Sequence, residues 1–235
     1  MSGSVSAALA SATAVSVAAW AVRGRSSAAF APSVWRGKPG RKAIAITFDD
    51  GPSRGTPELL ETLASYGVPA TFFLIGSNVE ALPKVARATA AAGHEIGNHS
   101  YSHPNFALTR PSFIEAEFQR AQDAIERVTS HSPRYLRAPY GVRWFGFRGM
   151  QRRLGLTGAM WSIIGRDWKL PAEAISRRVL SRATDGDIIC LHDGRGTLKD
   201  SDIGATIEAV RRIVPNLLDR GYHFETVSQL LCQTK

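Results

Sequence analysis

From Lys42 to the end of the chain, short runs of β-branched and aromatic residues alternate with segments of helical apolar spacing. This alternation is typical of repeated βα units, in which parallel strands form a sheet and helices cover it. A chain of about seven such units forms an α/β barrel or a doubly wound sheet, and both folds place catalytic groups at the C-terminal ends of the strands. The predicted strands are residues 42–50, 70–76, 94–99, 134–139, 158–164, 187–193 and 222–227.

Proline and glycine residues mark the ends of the helices predicted between these strands. One helix begins at Thr56-Pro57 and ends at Gly67, and an Ala-rich helix runs from Asn78 to Gly93. Further helices are predicted over residues 111–129, 171–183 and 203–221.

The formal net charge of +9 raises the question of a nucleic-acid partner. Residues 1–40 contain four basic residues and no acid, so 9 − 4 leaves +5 for residues 41–235. The other basic residues come mostly as scattered pairs in helical stretches, without the interleaved aromatic residues of a nucleic-acid-binding stripe. The sequence therefore predicts no nucleic-acid partner.

Residues 1–22 are uncharged and rich in Ala, Ser and Val, and two arginines follow them. Their length permits a signal peptide or a membrane anchor, whereas their weak hydrophobicity suits a disordered tail equally well. We therefore expect an N-terminal tail with a basic neck over residues 1–40, through which any membrane association would occur. Residues 41–235 are expected to form the catalytic domain.

Ionisable residues collect at the C-terminal ends of five predicted strands, where few other ionisable groups fall. Residues with a purely structural role are not expected to converge on one rim of a barrel in this way. The residues are Asp49, Asp50, His99, Arg137, Asp167, His192 and Asp193.

His99 and His103 are four residues apart just after a predicted strand, so one turn of chain would let both imidazoles face one ion. Two histidines and one carboxylate leave open positions on zinc, as a catalytic site requires. Because neighbours in a regular strand point to opposite faces, we expect the strand to end at Asp49 and Asp50. One acid would bind the metal and the other would take a proton from water; the spacing leaves their order open, and a simple Asp-Gly turn is the alternative.

Arg137 is the candidate guanidinium, because its forked donors suit a carboxylate better than lysine does. His192 is the candidate acid, which Asp167 would orient and keep protonated. We expect Asp193 to form a turn without a further role, and Cys190 to be a small core residue.

Five motifs stand in order along the chain: TFDDGP at 47–52, HSYSH at 99–103, RAPYG at 137–141, RDW at 166–168 and LHD at 191–193. Together they resemble the signature motifs of the NodB-type polysaccharide deacetylases, carbohydrate esterase family 4, over residues 41–232. The resemblance implies a distorted (β/α) barrel and a metal-dependent hydrolase. Its reaction would remove N-acetyl groups from an N-acetylhexosamine glycan of chitin-oligomer or peptidoglycan type, releasing acetate.

By motif position, the resemblance implies a role for each site residue. Asp49 would be the base, with Arg137 as its partner, and His192 would be the acid, supported by Asp167. The backbone N–H of Tyr140 would help to bind the oxyanion, and Trp168 and Leu191 would line the acetyl pocket. One divalent ion, zinc by expectation and otherwise cobalt or another metal, would be held by Asp50, His99 and His103.

Two alternative functions stay open on the sequence. The same rim would support an O-acetyl esterase acting on a polysaccharide of acetylxylan type, because an alkoxide leaves more easily than an amine. The basic surface and three tryptophans would suit a noncatalytic glycan-binding module. A glycan substrate favours an extracytoplasmic or membrane-anchored protein over a cytoplasmic one. No pattern indicates an oligomeric state, and the basic, aromatic segment 141–149 has no assigned role.

Overall fold

The computed structural model describes residue 13 and residues 15–232. The predicted signal or tail segment over residues 1–22 therefore lies partly outside the described residues. Within them, helix α1 includes residues 15–23. In this part of the chain, no helix is both long enough and apolar enough to cross a lipid bilayer.

The described residues form one sheet of nine strands, in which every strand pairing is parallel. The strands are β1 (Ser33–Val34), β2 (Ala43–Gly51), β3 (Thr71–Leu74), β4 (Glu95–Asn98), β5 (Tyr135–Leu136), β6 (Thr157–Ala159), β7 (Ile163–Ile164), β8 (Ile188–His192) and β9 (His223–Phe224). Their spatial order is β1-β6-β5-β4-β3-β2-β8-β7, with β9 beside β2.

The sheet must curl, because one short segment joins its two ends. The predicted strand 158–164 is two strands, β6 and β7, which lie near opposite ends of the spatial order. A flat sheet would separate them by about 29 Å, six strand spacings, whereas the linking residues span at most about 14 Å. Within the link, Met160 N donates to Val34 O and Ser162 N donates to Ile188 O, so it bonds to both ends of the sheet. The predicted α/β fold, a distorted (β/α) barrel, is confirmed.

Helices cover the outside of this half-closed barrel. They are α2 (Thr56–Ser65), α3 (Gly76–Ala81), α4 (Pro83–Ala91), α5 (Pro111–Thr129), α6 (Phe147–Leu154), α7 (Ala172–Leu180), α8 (Gly204–Asp219) and α9 (Val227–Leu231), with a 3₁₀ turn at Pro139–Gly141. The predicted helix 78–93 is divided into α3 and α4 at Leu82, because Pro83 disfavours helical backbone in the residue before it.

The main core lies between the sheet and these helices. Phe48 and Phe72 stack there with their ring centroids 5.0 Å apart, and Leu59 of α2 and Val210 of α8 belong to the same buried cluster. Burial of each such side chain contributes about 1.5–3 kcal/mol to the stability of the fold. The sheet that carries the polar rim is therefore well stabilised.

The described part of the predicted tail packs onto the barrel. Ser33–Val34 forms β1, which pairs with β6, and Ala31 is buried in a cluster with residues of α5 and α6. The side chain of Arg143 donates from Nη1 to the carbonyl of Ser27 at 2.8 Å. Segment 141–149, which the sequence left without a role, thus helps to hold residues 22–34 against the body.

Candidate active site

Both acids of the TFDDGP motif reach one cavity, although they are adjacent in β2. The strand continues to Gly51 instead of ending at the acids as predicted, but its register against β3 shifts between Asp49 and Gly51. Asp50 has a left-handed backbone with φ of 74°, and this bulge breaks the alternation of side chains. Both carboxylates therefore line a cavity of about 460 Å³.

Three candidate metal ligands meet at one end of this cavity. Oδ1 of Asp50 lies 3.3 Å from Nε2 of His99 and 3.0 Å from Nε2 of His103. The other oxygen of Asp50 accepts a hydrogen bond from Gly196 N at 2.9 Å, and Nδ1 of His99 is 2.8 Å from the carbonyl of Arg137. Because Nδ1 of His99 donates to that carbonyl, its Nε2 presents a lone pair to the centre of the group.

These three residues fit a divalent cation. Oδ1 of Asp50 is buried and has no hydrogen-bond partner among the described residues, although two imidazole nitrogens face it. Burial would raise the pKa of Asp50, but His103 and His99 lower that pKa well below its usual value, so the carboxylate is ionised. A buried anionic oxygen beside two imidazole nitrogens is a donor set that suits a metal such as zinc.

Asp49 is held by a guanidinium that is itself fixed on every side. Nη1 of Arg137 donates to Oδ1 of Asp49 at 2.7 Å and to Oγ1 of Thr47 at 2.7 Å. Nε and Nη2 donate to the carbonyls of Ala159 and Met160 at 3.2 and 3.1 Å. Arg137 has no exposed surface, so Oδ1 of Asp49 is committed to the ion pair while Oδ2 remains on the cavity side, 3.4 Å from Sγ of Cys190.

His192 and Asp167 form a second pair beside the first, since His192 is in register with Asp49 on the neighbouring strand. Nδ1 of His192 donates to Oδ1 of Asp167 at 2.9 Å, and Oδ2 of Asp167 accepts from His192 N and from Thr206 Oγ1, each at 2.8 Å. Burial opposes the charged imidazole, but the charge and hydrogen bond of Asp167 raise the pKa of His192 to about 9. His192 lines the cavity, and its imidazole is protonated at neutral pH, so it can donate a proton there.

Two exposed aromatic rings flank the opening. Tyr140 is 52% exposed, and its ring centroid lies 4.7 Å from that of His103; Trp168 is 49% exposed, and its ring lies 5.1 Å from that of His192. Both residues line the cavity.

The structure places Leu191 elsewhere than predicted. Leu191 is fully buried in the core between the sheet and the helices, and a Cβ on Gly165 would meet its side chain. Side chains alternate along β8, so Cys190 and His192 face the cavity and Leu191 faces outward. Among the described residues of β8, Cys190 therefore occupies the wall position expected of Leu191.

Comparison with known proteins identifies the family. A profile described as polysaccharide deacetylase matches residues 36–159. The chain belongs to the polysaccharide deacetylase family. A chitooligosaccharide deacetylase of Sinorhizobium fredii is 36% identical over 84% of this chain and 95% of the relative. A peptidoglycan-N-acetylglucosamine deacetylase of Bacillus cereus is 31% identical over 82% of this chain and 69% of the relative.

A solved structure agrees with these relatives. It is that of the Bc1960 peptidoglycan N-acetylglucosamine deacetylase, which is 30% identical, has a TM-score of 0.76 and aligns over 84% of this chain and 91% of the other. The resemblance to polysaccharide deacetylases that the motifs indicated is thereby confirmed. The predicted enzyme class is confirmed as well: this chain is a hydrolase of carbon–nitrogen bonds other than peptide bonds. The comparisons do not favour the esterase or the binding module.

Several residues of this deacetylase's site were missed by sequence reasoning. Asp193, which was expected only to form a turn, is fully buried beside the TFDDGP motif. Its carboxylate accepts a hydrogen bond from Thr56 Oγ1 at 2.7 Å, and burial raises its pKa to about 7. Gly51 is needed there, because a Cβ would lie 2.1 Å from Oδ2 of Asp193. Alternation along β8 was a usable signal for Cys190. No local signal marked Arg23 and Arg195, which also line the cavity.

Proposed function

We propose that this deacetylase hydrolyses the acetamido group of an N-acetylhexosamine glycan with one zinc ion held by Asp50, His99 and His103. The observation that carries the proposal is the convergence of three sets of groups on one cavity: the ligand triad, the Asp49–Arg137 pair and the His192–Asp167 pair. One carboxylate and two imidazoles suit zinc, and cobalt is the expected substitute. When bound, the ion supplies a Lewis acid for the acetyl carbonyl and for the attacking water.

Asp49 acts as the general base. Its Oδ1 is occupied by Arg137 at 2.7 Å, so Oδ2 is the oxygen that takes the proton from water. The ion pair keeps Asp49 fixed in direction, and the surrounding carbonyls keep Arg137 fixed in turn. A base held in this way loses little orientational freedom when the water attacks.

His192 acts as the general acid. The amine is a poor leaving group, so it must receive a proton as the carbon–nitrogen bond breaks. Nδ1 of His192 is used by Asp167, which leaves the Nε2 proton for the amine. The backbone N–H of Tyr140 donates to the oxyanion as negative charge develops on the acetyl oxygen.

The acetyl methyl group lies against the apolar part of the cavity wall. Ala138, Trp161 and Ile164 supply that wall, and Cys190 takes the place expected of Leu191. Trp168 stands at the edge, where its exposed ring also offers a face to a sugar.

The substrate class follows from the relatives. Those described above act on chitooligosaccharide and on peptidoglycan N-acetylglucosamine, which share the same reacting group. Peptidoglycan is a cell-wall polymer, so its deacetylase relatives favour a site of action outside the cytoplasm.

Acetate release tests the proposal. The full chain is incubated with N-acetylglucosamine oligomers and with peptidoglycan, before chelation, after chelation and after zinc addition. We expect release that is lost on chelation and restored by about one equivalent of zinc. Release that survives complete metal removal, or no release from either polymer by zinc-loaded protein, would refute the proposal.

A further inference from the structure

The N-terminal segment brings a cation to the cavity. Arg23 is the last residue of α1, and its Nε donates to the carbonyl of Tyr140 at 3.2 Å. Arg23 also lines the cavity that holds Asp49 and Asp50. Because the ring of Tyr140 packs on His103, this guanidinium stands one side chain away from the ligand triad.

This placement is built into the packing of the segment. Arg143, only 2% exposed, donates from its backbone N to Val22 O at 3.0 Å and from its side chain to Ser27 O at 2.8 Å and to Gly24 O. Phe30 stacks on Trp144 with ring centroids 5.0 Å apart. Arg23 thus lies on an anchored segment, with a buried arginine fixing the backbone on both sides of it.

The guanidinium of Arg23 has free donors. Within residues 13 and 15–232, its Nε has a hydrogen-bond partner, whereas Nη1 and Nη2 have none and no carboxylate pairs with the side chain. By contrast, Arg195, which also lines the cavity, donates to the carbonyls of Gly194 and Asp167 at 2.7 and 3.1 Å and lies 3.9 Å from the carboxylate of Asp167. Two terminal amino groups in a planar fork are the geometry that binds a carboxylate in bidentate fashion.

The cavity favours an anion at this edge. The two carboxylates that line the cavity already have neighbouring partners, since Asp49 pairs with Arg137 and Asp50 faces the two histidine ligands. Arg23 therefore contributes positive charge that no carboxylate of the described residues pairs with, whereas Arg195 lies 3.9 Å from Oδ2 of Asp167; a divalent ion would add to the positive charge. A neutral glycan would leave the fork of Arg23 solvated and unused.

We infer that Arg23 forms a subsite for a carboxylate carried by the glycan, next to the acetamido sugar that reacts. The enzyme then prefers an acidic glycan, such as one containing muramic acid, over a neutral oligomer of the same length. This inference rests on the proposed function, because it locates the acidic group relative to the sugar on which the proposed reaction acts.

A binding assay with a glycan that cannot be hydrolysed tests the Arg23 subsite independently of the proposed reaction. The probe is a de-N-acetylated disaccharide of glucosamine and muramic acid, which holds no acetyl group to hydrolyse, and its methyl ester removes only the negative charge. Calorimetry with the zinc-loaded full chain is expected to show that the acid binds about tenfold more tightly than the ester. Arg23→Gln should reduce this ratio to about one, and Arg23→Lys should retain part of it.

Lys38→Gln is the matched control, because it removes the same charge from the same N-terminal region and does not line the cavity. It should leave the tenfold ratio unchanged. Melting temperatures of both glutamine variants check that the segment still folds. If Arg23→Gln does not fold, Arg23→Lys is measured in its place. A ratio of acid to ester affinity equal to that of wild type in the folded variant would then overturn the inference.

Acid and ester that bind equally to the wild-type protein, or a ratio that survives Arg23→Gln, would overturn the inference. Acetate release in the separate assay, without a binding preference, would refute the subsite and leave the reaction standing. A binding preference without acetate release would support the subsite and refute the reaction.

Discussion

Asp49→Asn separates the chemical role of Asp49 from its structural role. Asparagine fills the same space but neither takes the proton from water nor neutralises Arg137. Turnover should fall by about two to four orders of magnitude, the range for a lost general base, which corresponds to about 3–5 kcal/mol in the activation barrier. Zinc should remain bound at about one equivalent, because Asp49 is not among the proposed ligands.

The same substitution should destabilise the fold by an amount set by the burial of Arg137. Breaking a buried ion pair costs about 3–5 kcal/mol when the remaining charge is uncompensated. Arg137 has no exposed surface, but Thr47 Oγ1 and the carbonyls of Ala159 and Met160 still accept from it. We therefore expect a loss at the lower end, about 3 kcal/mol, and a fall in Tm of about 6–12 °C for a chain of this size.

Acetate release with zinc-loaded protein measures the first effect, and urea unfolding after metal removal measures the second. Asp123→Asn is the control, because Asp123 is an exposed acid on α5 that undergoes the same chemical change. Near-wild-type turnover of Asp49→Asn would refute the assignment of the base. An unchanged free energy of unfolding would refute the reasoning that Asp49 compensates a buried charge.

Two further predictions concern histidines. His192→Gln should reduce amide hydrolysis by about 10²–10⁴-fold and hydrolysis of a matched acetate ester much less, measured as kcat for both substrates; equal losses would contradict its role as the acid. Because the protonated form of His192 donates, kcat should decline as pH rises through its pKa, about 9 without a neighbouring dication and lower beside one, and Asp167→Asn should move this decline to lower pH. Burial lowers the pKa of His94 to about 4, and Ala70 N donates to its Nδ1 at 3.2 Å. The unfolded chain then binds the extra proton below about pH 6.5, so stability is lost as pH falls from there towards 4, by about 2 kcal/mol between pH 7 and 5. Urea midpoints at both pH values should show a smaller difference for His94→Asn, and an equal difference would place the acid sensitivity elsewhere.

Much of the site was predictable, because its residues follow strands whose apolar pattern is local. A run such as AIAITF before two acids indicates a buried strand with a polar C-terminal end, and parallel strands bring such ends to one rim. The sequence alone therefore predicts that Asp50, His99 and His192 share one rim of the barrel. Motif resemblance then supplied the order of the two acids, which spacing alone left open.

Two predictions about these strands were wrong. The sequence predicted that β2 ends at Asp49 and Asp50, whereas a bulge lets both face the cavity while the strand continues. A bulge depends on the register against the neighbouring strand, which no pattern within one strand reveals. Leu191 was assigned to the cavity wall by motif position, although alternation from His192, which was predicted to face the site, already puts Cys190 on the cavity face and Leu191 on the opposite face.

By itself, the sequence determined the βα alternation, the positions of the strand ends and the types of side chain that stand there, since these depend on near neighbours in the chain. Only the tertiary structure decided that part of an apparent tail belongs to the body and that Arg23 reaches the active-site cavity. The contact of Arg23 with Tyr140 spans 117 residues, and it exists because Arg143 and β6 hold the N-terminal segment in place. Such contacts arise from packing between distant segments, which local spacing does not encode.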